Sequence, residues 1–240
     1  TIISFIPDEK IFGDFHYVSE HLEKMLWNFV FLNNGMSIYF NGRRLYAKNG
    51  LKDLLLREIN GNPVVYPVIH IKEGDFECAL THVRNQYGEE YYSFVNGQNT
   101  AQGGTHLTSF KESIVKTVRE FYKKDFDPQD IRASINAAIS VKVQEPVFES
   151  QTKTKLGSNH IEPGGQTIRN YVNDIISRNL DNYLHKNPET ADELLKRIKL
   201  SEKERKEMAG IKKLARESVK KASVHNKKLR DCRIHYNTNH

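Results

Sequence analysis

The chain has 240 residues, 38% hydrophobic and 28% charged, with a formal net charge of +6, which is room for one large domain or two small ones with a real core. No apolar run nears the roughly 18 residues of a membrane span and no signal-peptide pattern opens the chain, so the composition points to a soluble cytoplasmic protein. Cys78 and Cys232 lie far apart, outside any CxxC or Cys/His cluster, and read as reduced thiols; the histidines form no HxxxH or HExxH pair, which argues against a metal site.

In chain order, TIISFI reads as a strand with nothing before it to pair with. With Thr1 rather than Met at the start, the expectation is a piece of a longer protein. Pro7-Asp8 breaks the run, and Asp14 is placed to cap a helix through about Phe31, along which Phe15, Val18, Leu22, Met25, Leu26 and Phe29 recur at helical spacing. MSIYFNGRRLYA predicts two short strands around Asn41-Gly42, because Asn-Gly tolerates the positive φ angles of a type I′ turn. Residues 51 to 59 form a short helix stopped at Gly61. Three strand-like runs follow, PVVYPVIHI, FECALTHVR and EYYSFVNG, and the short turns around Gly74 and Gly88 predict an antiparallel meander. From GGTHLTSF the periodicity turns helical, with Phe110, Ile114, Val118 and Phe121 on one stripe and Thr105 as the cap. Asp127-Pro128 starts a helical turn, and a strand over 135 to 143 follows it, closed by Pro146.

From Pro163 the pattern is wholly helical. One helix runs from about Gln166 to His185 and stops at Asn187-Pro188; a second starts there, frays around Gly210 and continues into a basic segment. Residues 196 to 233 hold 15 Lys/Arg against 5 Asp/Glu, while the rest of the chain holds 21 against 25. A charge run is usually a solvated helix face, but an excess this concentrated points to a polyanion partner. The architecture read from this order is α+β: a mixed sheet covered by helices, followed by a protruding helical arm.

Two stretches carry chemistry. In NGQNTAQGGTHLTSF, Gly103-Gly104 lets the backbone turn sharply into a helix. The plain reading is a loop-to-helix junction, with His106 packed rather than catalytic. In ESQTKTKLGS a buried strand gives way to Gln151, Thr152, Lys153, Thr154 and Lys155, which plainly read is a polar loop with lysines for solubility. Against that, an extended loop would put Gln151 and Lys153 on one side, an amide to orient and an ammonium to neutralise a phosphate. The chain has no G-x-x-x-x-G-K-[ST] loop, so the rest of any nucleotide site lies elsewhere.

Together, SFVNGQNTAQGGTH, ISVKVQEPVFESQTKTKLGS and KKLRDCR resemble the ATPase subunit of bacterial type IIA topoisomerases, that is, DNA gyrase B and the corresponding B subunit of topoisomerase IV. TIISFIPDEKIF with FVFLNNGMSIYF resembles the end of the GHKL-type ATPase domain of the same proteins. DIRASINAAISVKVQEPVFESQ is closer to topoisomerase IV than to gyrase. The resemblance covers nearly all of the chain. It implies that residues 1–45 are the C-terminal end of the GHKL ATPase domain with a linking hairpin. Residues 46–186 would be a transducer domain, ribosomal-protein-like with a left-handed βαβ crossover, an exception to the usual hand. Residues 187–240 would be a basic helical arm leading towards an absent TOPRIM domain.

The resemblance also implies roles. The QTK loop would reach into the ATP pocket, with Lys153 on the γ-phosphate and Gln151 binding and sensing the same group. Thr1 would stand beside an adenine-binding aspartate that the chain lacks. Lys212, Lys213, Arg216, Lys220 and Lys221 would touch duplex DNA through its phosphates. Mg2+ would accompany ATP on ligands outside this chain. Partners would be double-stranded DNA, a topoisomerase A-type subunit in a heterotetramer, and a second copy in a homodimeric clamp. The chain alone is expected to be inactive. Ala101-Gln102 depart from the Arg and acidic residue that relatives often carry before GGTH, which puts any DNA contact of that arginine in doubt. Two other classes stay open: a non-enzymatic nucleic-acid-binding module, and the middle domain of a mismatch-repair or chaperone ATPase. The first has no need of Gln151 and Lys153 on one face; the second fits poorly with QTKTKLG and KLRDC.

Overall fold

The computed structural model describes residues 1–222, with side chains through residue 216 of the last helix. The chain enters through a one-turn helix α1 (Glu9–Phe12) and helix α2 (Ser19–Leu32), then a hairpin of β1 (Ser37–Phe40) and β2 (Arg43–Tyr46), then helix α3 (Leu51–Ile59). The body follows as β3 (Ile69–Glu73), β4 (Phe76–His82), β5 (Glu90–Val95), β6 (Gln98–Asn99), α4 (Thr105–Tyr122), α5 (Pro128–Arg132) and β7 (Ile135–Val141). Two helices close it, α6 (Ile168–Lys186) and α7 (Pro188–Ala222). Helix α7 passes Gly210 without a break, so the expected fraying there is not seen.

A five-stranded mixed sheet in the order β3-β4-β7-β5-β6 carries the fold. Side chains alternate across a strand, so β4 and β7 feed two cores at once. Phe76, Cys78 and Leu80 join Ile135, Ala137, Ile139 and Val141 against Phe110, Ile114 and Val118 of α4 and Val172 and Ile176 of α6. Ala79 and Ala138 face the other way, into a second core with Leu51, Leu54 and Leu55 of α3 and Val30 and Phe31 of α2. With both faces covered, β4 is buried along its whole length. That is why FECALTH carries no polar alternation. On α4, buried Ser109, Ser113 and Thr117 each donate a hydroxyl to the carbonyl one turn back, at 2.7, 2.7 and 2.8 Å, so their burial leaves no unmet polar group.

The hairpin, α3, α4 with its buried stripe, and α5 with its Asp127 cap form as the sequence predicts. Asn41 and Gly42 take φ of 47° and 77° at the hairpin turn. Other expectations are corrected. The meander is broken, because β7 inserts between β4 and β5, antiparallel to the first and parallel to the second. Strands β4 and β5 do run antiparallel, as a short connection demands, but two positions apart. Ser134, just before β7, fills the gap: its amide donates to Gly88 O at 2.8 Å and its carbonyl accepts from Val83 N at 3.0 Å.

At the start of the chain, residues 1–7 form no strand, since no neighbouring strand among the described residues supplies pairing partners. Asp14 caps nothing: Asp8 caps α1, and α2 begins at Ser19. The buried face of α2 is also rotated from the expected stripe. Val30 and Phe31 are enclosed, with Leu26 and Trp27 against them, while Met25 and Phe29 stay 48% and 43% exposed. Thr105 is the first residue of α4, whose cap position is Gly104. Strand β7 ends at Val141, two residues early.

Three buried titratable groups depend on this packing. Burial alone would raise the Glu77 carboxyl, but the His70 ring, the Leu51 amide and Lys72 outweigh it and hold the group below its usual value. The bond to Leu51 N, 2.8 Å, ties the start of α3 to the sheet. His82 Nε2 lies 2.8 Å from Ile131 O, which can only accept. Nε2 therefore carries the proton, and Nδ1 accepts from Tyr66 OH at 2.5 Å. Burial pushes His82 down to about 4, and it does the same to His106.

An unfolded imidazole titrates near ~6.5, so the unfolded chain takes up these two protons before the folded one. The stability is present at neutral pH and lost as pH falls from about 6.5 towards about 4. Between pH 8 and pH 5 each histidine should remove on the order of 2 kcal/mol. Urea unfolding of the 240-residue chain across that range checks this. A midpoint that stays flat would show that neither ring is held neutral.

Candidate functional site

Beyond β7 the chain leaves the sheet, and residues 147–158 double back on themselves. Val147 O accepts from Gly157 N at 2.8 Å and Ser158 N at 3.2 Å; Glu149 N donates to Lys155 O at 3.1 Å. At the tip, Lys153 N donates to Ser150 O at 3.0 Å, and the Ser150 and Thr152 hydroxyls are 2.7 Å apart. The tip is a turn, so the condition of an extended loop that would put Gln151 and Lys153 on one side is not met. Gln151 and Lys153 are thus placed by the turn and not by strand alternation. Lys153 takes a φ of +55°, the left-handed region that costs a residue with a Cβ about 1–2 kcal/mol.

The stem of this loop is lashed to the start of α4. Leu156 is buried; its amide donates to Gly103 O at 3.0 Å, and its carbonyl accepts from Thr105 N at 3.3 Å. Gln102 N donates to Thr154 O at 2.9 Å, and Thr105 Oγ1 donates to Ser158 O at 2.6 Å. Gly104 has a φ of +130°, and a Cβ there would stand 2.3 Å from Leu156 O and 2.6 Å from Leu156 N. Only glycine permits this approach. Gly103-Gly104 is thus the loop-to-helix junction expected from sequence and also the seat of the loop. The glycine pair was a signal for close backbone approach, but nothing local named Leu156 as the visitor.

The side chains sort clearly. Lys155 pairs with Glu149 at 2.9 Å on the stem. Gln151 and Lys153 are exposed at the tip, and their side chains make no hydrogen bond or ion pair among the described residues. His106 is buried, with Nε2 3.2 Å from Thr100 Oγ1, and serves packing as expected. Thr1 lies in the exposed stretch 1–7, and no hydrogen bond or ion pair among the described residues joins it to the loop.

The basic helix is less uniform than its composition. Lys196 pairs with Glu193, Arg197 with Glu204, Lys203 with Glu207, Arg205 with Asp130 and Lys206 with Glu202. Lys212, Lys213 and Arg216 are exposed on α7 and have no ion pair among the described residues. The side chains of Lys220 and Lys221, and residues 223–240 with Cys232 and KKLRDCR, lie outside the described residues. Apart from Lys199, the uncompensated charge therefore begins at Lys212.

A family model described as DNA gyrase B matches residues 45–214. The chain belongs to the DNA gyrase B family. Within the family it is 39% identical over 237 residues to the B subunit of DNA topoisomerase 4 from Borreliella burgdorferi, covering 99% of this chain and 38% of that protein. It is 30% identical over 254 residues to the B subunit of DNA gyrase from Clostridium acetobutylicum, covering 97% and 39%. The chain thus spans about two fifths of these two relatives. Two solved structures share the fold. The 43K ATPase domain of Thermus thermophilus gyrase B gives a TM-score of 0.69 at 22% identity, over 87% of this chain and 59% of that one. The topoisomerase IV ATP-binding domain of Francisella tularensis gives 0.64 at 24% identity, over 83% and 57%.

The seat of the loop yields a direct prediction. Gly104→Ala drives a Cβ into the Leu156 backbone and should cost at least about 2 kcal/mol, by clash and by strained φ together. Gly97→Ala, where an added Cβ meets nothing within 4 Å, is the control for positive φ alone. Equal unfolding midpoints for the two variants would show that the close approach does not hold the loop.

Proposed function

We propose that this chain is the transducer segment of the ATP-hydrolysing subunit of a type II DNA topoisomerase, and that its loop couples the nucleotide to DNA strand passage. Residues 1–45 close the ATPase domain, 46–186 form the transducer with the loop, and 187–240 form the arm towards the next domain. The observation that carries this reading is the loop: one ammonium and one amide without partners among the described residues, presented on a stem fixed to α4.

That donor set fits a terminal phosphate. Lys153 supplies a positive charge, Gln151 supplies amide N–H donors, and Lys155 is already committed to Glu149. A bound ATP would supply the phosphoryl group and the free energy of its hydrolysis. The chain's own part is to bring Lys153 to the γ-phosphate, with Gln151 sensing it and Thr1 adding a contact near the adenine. A Mg2+ ion accompanying ATP would be held by the phosphates and by ligands outside this chain. Lys212, Lys213, Arg216, Lys220 and Lys221 would meet DNA phosphates without reading sequence. The assembly proposed is a homodimeric clamp that pairs with A-type subunits into a heterotetramer. A nucleic-acid-binding module alone gives the loop and its seat nothing to do.

In the full-length subunit, Lys153→Ala should lower ATP turnover by roughly 10²–10³, about 2.7–4 kcal/mol, as loss of one preorganised donor does. Nucleotide affinity should change far less, since the other contacts lie outside the loop. Lys155→Ala should be milder, because its partner is Glu149. Steady-state ATPase rates with nucleotide titrations decide it: near-wild-type turnover in Lys153→Ala would end the proposed role.

Duplex binding by the arm should be weak, sequence-independent and steeply salt-dependent, with a log–log slope of about −0.9 per phosphate contact. Replacing Lys212, Lys213, Lys220 and Lys221 together by Glu should abolish it in a fluorescence-anisotropy titration. Binding as before would reduce the arm to a solvated helix.

A further inference from the structure

We propose that Asp130 and Arg205 are a positioning pair that fixes the direction of the α7 arm against the body, so that arm and loop are both governed by the α5–β7 segment. This rests on the proposed function for its consequence in strand passage; the pair itself is argued from geometry.

Along α7, Ala191, Leu194, Ile198 and Ser201 are buried against the body at helical spacing. After Ser201 no residue of the helix with a described side chain is buried. Leu200, Met208, Ile211 and Leu214 are half or more exposed. Apolar packing therefore ends at Ser201, one turn before Arg205. There the hold becomes ionic. Arg205 Nε lies 2.9 Å from Asp130 Oδ1 and Nη2 lies 2.7 Å from Oδ2, a two-pronged pair that fixes angle as well as distance.

The carboxylate is the unusual partner. Asp130 is 2% exposed, on a five-residue helix, and Arg205 is the only cation paired with it among the described residues. Ser201 Oγ stands 3.4 Å from the same carboxylate. A charge enclosed this far needs its partner, and the partner here sits on the arm. The other ionic contacts between arm and body near the exit, Lys124–Glu202 at 3.8 Å and Arg205–Asp127 at 3.5 Å, are long and single-pronged.

Two turns earlier, Arg197 Nε donates to Ser134 Oγ at 2.9 Å. Ser134 is fully buried with a φ of +65° and joins α5 to β7. Two arginines of α7 thus grip the two ends of one short segment. That segment opens the central strand, which is paired on both sides, and the chain beyond that strand carries the loop. Alongside the pair, an open groove of about 650 Å3 runs between α7 and the turn holding Tyr87, from Arg197 past Arg205 to Met208 and Ile211. An arm freed at Asp130 has space to move.

The test uses the full-length subunit with spin labels at Lys116→Cys on α4 and Leu214→Cys on the arm, where Leu214 is exposed, other reactive cysteines replaced. Two variants release the pair: Asp130→Asn, and Asp130→Ala with Arg205→Met. The double change removes both polar partners and leaves no buried charge, so it should keep the wild-type melting temperature and carries the test if the single variant fails to fold. Wild type should give one narrow distance distribution, and each variant one at least about twice as wide. ATP turnover without DNA should stay within about twofold, while ATP-dependent DNA relaxation falls at least about fivefold. An unchanged narrow distribution in the double variant overturns the proposal. A widened distribution with normal relaxation upholds the positioning pair and overturns instead the strand-passage role given to the arm.

Discussion

Leu156 lies so close to Gly104 that a single carbon atom on that glycine would collide with the Leu156 backbone, and the position of the loop follows from that contact. Around it, backbone bonds from Gln102, Thr105 and Leu156 and the hydroxyl of Thr105 join two stretches fifty residues apart. None of these bonds is strong singly, each adding about 1 kcal/mol net. Together they leave the stem few ways to move, while the tip at Ser150–Lys153 makes only its own turn. A reactive ammonium held on a fixed stem loses little conformational entropy when it meets an anion.

The sheet makes that contact possible. Strand β7 is central, bonded to β4 on one side and β5 on the other, and it is enclosed between the helices of two cores. Its start is gripped by Arg197 through Ser134, next to the Asp130–Arg205 pair. Beyond its end, the chain reaches the loop. A displacement at either end is resisted by the packing of both layers, since close-packed cores have discrete arrangements. This is the physical content of the transducer role proposed above.

Much of this was legible in the sequence, and the failures have identifiable causes. Asn41-Gly42, the stripe of Phe110, Ile114 and Val118, and Asp127-Pro128 are local signals, and local structure obeyed them. Strand adjacency is not local. The insertion of β7 beside β5 is decided some forty residues downstream of that strand, after α4 has crossed the sheet. Helix α2 is apolar on more than one side, so periodicity alone chose a face that the hairpin and α3 do not cover. At the candidate site, Gln151 and Lys153 stood out by residue type and family resemblance. Their actual placement depends on a left-handed Lys153 and on Gly104, which composition cannot reveal. Asp130 gave no signal, because its partner lies 75 residues away.

The most direct test of this account is amide hydrogen exchange across residues 100–158. The Leu156 and Gln102 amides, bonded to Gly103 O and Thr154 O, should exchange nearly as slowly as those of β7. The Gln151 and Thr152 amides at the tip should exchange at least ~10³-fold faster. Leu156 and Gln102 exchanging as fast as the tip would contradict the claim that the loop is held by its approach to Gly104.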